Sequence, residues 1–152
     1  MNVALADAGV AAWDAKYTYG SWRPITAIRL ADTDGNEATT PDPGWSPLLT
    51  TPNHPDYVSG HSTFSGAAAE VLTDFFGDIP FSTTSVTLPG VTRDFDSFAA
   101  AANEAGRSRI YGGIHFEFSN QDGLALGRNV GDWVLNDFHN TYDTGKSDWL
   151  LG

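Results

Sequence analysis

The chain has 152 residues, 41% of them hydrophobic, and carries 8 Lys plus Arg against 19 Asp plus Glu for a formal charge of −11. That length suits one domain with one core, and the charge disfavours both nucleic acid and anionic membrane surfaces as partners. The lack of cysteine removes disulfides and thiolate metal sites, and no apolar run approaches the roughly eighteen residues of a spanning helix.

The start, MNVALADAGVAAWDAK, lacks a basic stretch followed by a long apolar one, so no signal peptide is visible and the chain reads as soluble. Ala6, Val10, Trp13 and Tyr17 recur at helical spacing and predict a first helix ending near Gly20, with Lys16 on its last turn. From Asp32 to Tyr57 the composition shifts to Gly, Pro, Thr, Asp and Asn, which predicts a long irregular loop. Loops of that length inside a compact domain are usually functional. Ser59 is a candidate N-cap for a second helix running to about Phe76, with Phe64, Ala68, Val71, Leu72 and Phe75 on one face and Gly77 as its stop. The run SVTLPGVTRDF predicts a small hairpin turning at Pro89-Gly90. A third helix is expected from about Asp94 to Arg107, and a fourth from Asn120 to about Asn140 with Leu124, Val130, Trp133, Val134 and Phe138. The fold class expected is mainly α: a bundle of about four helices with long loops and a small β-hairpin, the site lying at one end.

Three segments place basic or histidine residues at spacings suited to gripping one tetrahedral oxyanion: Lys16 to Arg23-Pro24, Ser59-Gly60-His61, and Ser108-Arg109 to His115. Such an anion needs several fixed donors. Arg supplies a rigid fork and Lys a point charge, while Ser59 and Gly60 add a hydroxyl and amides at a helix start, where unpaired N–H groups favour an anion. His61 and His115 then suit in-line chemistry, one bonding to the central atom and the other handling a proton at the opposite apex. Gly112-Gly113 would let backbone approach the anion. The remaining basic residues Arg29, Arg93, Arg107, Arg128 and Lys146 are expected in ion pairs with the many carboxylates, and His139 at a helix end on the surface.

Taken in order, KYTYGSWRP, YVSGHSTFSG and SRIYGGIH resemble the three-part signature shared by vanadium-dependent haloperoxidases and the type 2 phosphatidic acid phosphatase superfamily, and the surrounding sequence looks more like soluble bacterial haloperoxidase-like proteins than membrane lipid phosphatases. Val58 departs from the usual Pro before Ser-Gly-His, at a position that shapes the loop. The resemblance implies that Lys16, Arg23, Ser59, Gly60 and Arg109 bind the oxygens of vanadate, with phosphate able to occupy the same place. It makes His115 the axial vanadium ligand and His61 the acid–base group. It further implies hydrogen peroxide and halide as substrates, hypohalous acid as product, and no electron-transfer cofactor. His54 stands where bromide-oxidising members tend to carry His, which leans toward bromide or iodide. Trp13 falls where chloroperoxidases have a Trp near the site, although the core is the position expected of it.

In that family the motifs lie in the C-terminal, site-bearing part of a longer fold, so residues 1–152 are expected to form one such domain. Apolar faces left uncovered there make a homo-oligomer an expectation. The carboxylate that orients the acid–base histidine is sought among Asp7, Asp14 and Asp56. Two other functions use the same residues: a phosphatase acting on a phosphate ester through a phosphohistidine at His115, and a catalytically silent oxyanion-binding domain.

Overall fold

The computed structural model describes residues 1–145. In chain order the elements are α1 (Asn2–Tyr19), α2 (Pro24–Arg29), a 3-10 turn (Ala31–Thr33), α3 (Gly60–Phe76), β1 (Phe81–Ser85), β2 (Leu88–Phe95), α4 (Phe98–Tyr111) and α5 (Glu117–Gly145). The mainly helical class, the four main helices and the hairpin match the sequence reading. Lys146 lies outside the described residues.

The buried face of α1 is not the expected one. Ala4, Ala8 and Ala12 are fully buried and Lys16 continues their i, i+4 stripe, whereas Val10 and Tyr17 are about 70% exposed (71% and 70%). Small side chains let α1 approach its neighbours closely, so the alanines face inward and the large apolar residues turn outward. A stripe picked by side-chain size alone therefore selects the wrong face.

Glycines set the packing of α5 on α3. A Cβ on Gly127 would stand 2.1 Å from the Thr63 carbonyl oxygen, and one on Gly123 would stand 2.8 Å from that of Ser59. Gly131 sits against Ala67 and Glu70 in the same row, and Gly66 of α3 answers with its own close approach to Leu124. Backbone-to-backbone contact of this kind brings the start of α3 against α5. Ser59 N–H donates to the Ser119 carbonyl at 2.9 Å. Two small apolar clusters finish the core, Ala4 with Val71 and Leu135, and Ala69 with Ala102 and Leu124.

α3 starts after its Ser59 cap and stops at Gly77, as expected. The hairpin turns earlier than predicted: β1 and β2 pair antiparallel, Phe81 opposite Phe95, and the turn falls at Val86-Thr87 with Pro89-Gly90 inside β2. The strand's outer position tolerates Pro and Gly there, since it has a ladder partner on one side only. α4 begins at Phe98, because the Ser97 side chain accepts from Ala100 N–H and caps it, and it runs on to Tyr111. Ser108 and Arg109 consequently sit in its last turn. Arg93 pairs with Glu104 at 2.6 Å and Arg107 pairs with Glu117, as expected of them. Arg29 does not take a carboxylate; it donates to the Trp45 carbonyl at 2.8 Å and ties the long loop down. His139 lies exposed beside Asp74.

Candidate active site

α1 and α4 end, and α2 and α3 begin, around one cleft of about 290 Å³ lined by Trp13, Pro52, His54, Gly60, His61, Phe64, Ser65, Arg109 and His115. All three sequence motifs reach it or stand directly behind it. The first two amides of α3, on Gly60 and His61, precede the first intrahelical bond, from Thr63 N–H to the Ser59 carbonyl, and have no partner within the helix. They meet the cleft at its positive helix end. Arg109 contributes a guanidinium whose Nε is buried without a hydrogen-bond partner.

Lys16, Arg23 and Ser59 form the layer behind. Lys16 is fully buried and its ammonium donates to the carbonyls of Pro55 (2.9 Å), Asp56 (3.0 Å) and Val58 (2.5 Å). Its three protons are thus spent on the loop that leads into α3. Arg23 donates through Nε to the His54 carbonyl (2.9 Å) and through Nη1 to the Ile114 carbonyl (2.7 Å). The same Nη1 is 3.0 Å from His115 Nε2, and Nη2 is 3.1 Å from His54 Nδ1. Ser59 is fully buried, with the Ser62 N–H and hydroxyl both directed at its Oγ.

His115 is 5% exposed, and its Nδ1 lies 2.8 Å from Oδ1 of Asp56, which is itself wholly buried. Asp56 is therefore the companion of His115 and not of His61. Asp7 and Asp14 line a separate groove between α1 and α5. The sequence offered no local signal for the Asp56–His115 pair, since only the tertiary fold brings these residues together. Gly112-Gly113 also differs from expectation: a Cβ on Gly112 would meet Leu49 at 2.6 Å, and Gly113, at φ +70°, abuts Pro47 and Trp45. These glycines admit the long loop onto the end of α4. Trp13 and His54 do come together, ring centroids 5.4 Å apart, on one wall of the cleft.

Burial and mutual repulsion dominate the electrostatics. Loss of hydration, with Arg23 adding its charge, brings Lys16 down to about 8 against the opposing pull of Asp56. Desolvation also lowers Arg23 and Arg109. His61 falls below its ordinary value through desolvation first, then through the positive charge of Arg109 and of His115. Desolvation likewise lowers His115, which Asp56 partly offsets. Three cations against one carboxylate leave the site short of negative charge, in a chain that is strongly acidic elsewhere.

A helical bundle that ends in a cationic cleft lined by His61 and His115 is the kind of molecule found among vanadium haloperoxidases. Over residues 1–144 the chain matches the family model of the VCPO second helical-bundle domain, and it belongs to that family. Among curated proteins, the vanadium chloroperoxidase of Curvularia inaequalis is 31% identical over 86 residues, which is 50% of this chain and 14% of that protein. Among solved structures, a bacterial vanadium-dependent iodoperoxidase superposes with a TM-score of 0.77 at 43% identity, covering 88% of this chain and 31% of the other. A bacterial vanadium-dependent chloroperoxidase, in its holo form, shares the fold at a TM-score of 0.66 and 24% identity, covering 85% of this chain and 32% of its own. The chain thus spans about a third of the length of its structural relatives.

Proposed function

We propose that this domain carries a vanadate-dependent haloperoxidase centre that uses hydrogen peroxide to oxidise bromide or iodide to hypohalous acid. The observation that carries the reading is the donor set gathered at one cleft: the Arg109 guanidinium, whose buried Nε has no partner, the Gly60 and His61 amides, and two histidines, backed by Lys16 and Arg23. A tetrahedral oxyanion is what such a set recognises, and the residues present fit vanadate in charge and donor type.

In this reading Arg109, Gly60 and His61 bind the anion from the cleft side, while Lys16, Arg23 and Ser59 hold the cationic floor. His115 would bond to the anion through Nε2. Bound vanadate would supply the Lewis-acidic centre that polarises peroxide toward halide. His61, which burial and the charge of Arg109 bias toward its neutral form, would accept and return a proton there. His54 and Trp13 form the wall along which halide enters. The fixed cations stabilise developing negative charge without reorganising.

Residues 1–152 act as one domain in this proposal. Outward-facing Val10, Tyr17 and Trp133 support self-association, with a molar mass above that of one chain expected in sedimentation equilibrium. Bromide- and iodide-dependent halogenation of monochlorodimedone tests the function. Turnover that needs vanadate and is abolished in His115→Ala is the expected result. Hydrolysis of p-nitrophenyl phosphate without halogenation would replace the reading with a phosphatase. Bound vanadate with neither reaction would leave a silent oxyanion-binding domain.

A further inference from the structure

We propose that Asp56 is the positioning residue of this site, holding His115 as the Nδ1–H tautomer so that Nε2 carries no proton and its lone pair, which accepts from Arg23, can bond to the anion's central atom once Arg23 turns to the anion. The tautomer follows from the partners. Arg23 Nη1 lies 3.0 Å from His115 Nε2, and a guanidinium has donors only, so Nε2 must accept and carry no proton. The ring proton then sits on Nδ1, which faces Asp56 Oδ1 at 2.8 Å. That contact is short but oblique to the N–H direction, so the carboxylate acts on the polar Nδ1–H as a charge on a dipole more than as an aligned hydrogen-bond acceptor.

Asp56 is fixed from three sides. Its N–H donates to the Ser21 carbonyl at 3.0 Å, and its own carbonyl accepts from Lys16 Nζ at 3.0 Å and from Ser119 Oγ at 3.1 Å. Its side chain lies against His115 and, at 3.8 Å, Arg23; Oδ2 is buried with no hydrogen-bond partner. A wholly buried carboxylate in a site that attracts an anion works against that anion. Stabilising the anion cannot be its role, whereas fixing a ring proton is what a carboxylate behind a ligating histidine does.

The inference rests on the proposed oxyanion site, and its test separates the two. Nitrogen-15 NMR of the histidine rings is recorded on the full chain for wild type, Asp56→Asn and Asp56→Leu, and each protein is titrated with vanadate and with inorganic phosphate. His115 should show a protonated Nδ1 and an unprotonated Nε2 in wild type and in Asp56→Asn, whose amide oxygen can still accept, and a mixture of tautomers in Asp56→Leu. Vanadate, which can take His115 as a fifth ligand, should bind Asp56→Leu about 10–100-fold more weakly. Phosphate makes no bond to His115 and should bind that variant as well as wild type or better, because a negative charge has gone.

A wild-type His115 protonated on Nε2 would overturn the inference, as would vanadate and phosphate affinities that weaken together or tighten together. The split affinities without any halogenation would instead remove the haloperoxidase reading and leave Asp56 in its role.

Discussion

Lys16 shows how burial changes a residue's duty. Three carbonyls surround its ammonium, and desolvation and Arg23 depress it from 10.5 to about 8. The folded chain therefore releases this proton near pH 8, while the unfolded chain keeps it until about 10.5. Over that window the unfolded state binds more protons, so this group's contribution makes stability rise with pH. Anion affinity should move the opposite way, since the floor of the cleft loses a positive charge. Thermal melts from pH 7 to 10 with and without phosphate check both signs, and Lys16→Met should flatten both responses. The motif spacing named Lys16, Arg23, Ser59, Gly60, His61, Arg109 and His115 as candidates, and the fold gathers them at or directly behind one cleft. Asp56 was a candidate partner for the acid–base histidine, but its pairing with His115 was not legible, because the tertiary fold alone brings these two together and no local spacing records it.

At the scale of elements, the row Gly123, Gly127 and Gly131 fixes how deeply α3 and α5 interlock. Gly127→Ala places a methyl 2.1 Å from the Thr63 carbonyl oxygen and 2.8 Å from Ala67 N, backbone atoms that cannot swing aside. Chemical denaturation should show a loss of about 1–3 kcal/mol, whereas Gly90→Ala in β2, with nothing within 4 Å, should register only the strain of its φ of +81°. Helix caps were legible, with Ser59 and Gly77 bounding α3 as their chemistry requires. The start of α4 was misplaced because Phe95 belongs to β2, opposite Phe81, even though its spacing fits a helix. The inward face of α1 was misread for a related reason: close helix packing rewards alanine, and hydrophobic size does not report it.

On the scale of the whole molecule, acidic surface and cationic cleft divide the labour. The net charge of −11 repels polyanions, while in the proposed reading the buried cations at the end of the bundle serve a small one. No helix among the described residues is long and apolar enough to cross a membrane. The chain spans 31% of the iodoperoxidase structure it resembles, yet all three motif segments fall within it and converge on one cleft. The chain by itself should therefore bind the oxyanion, and this is the claim on which the rest depends. Calorimetric titration of wild type, His115→Ala and Arg109→Ala with orthovanadate tests it most directly. One vanadate per chain, with affinity reduced at least about tenfold in each variant, is the predicted result. No binding to wild type, or binding that neither substitution weakens, would contradict the account.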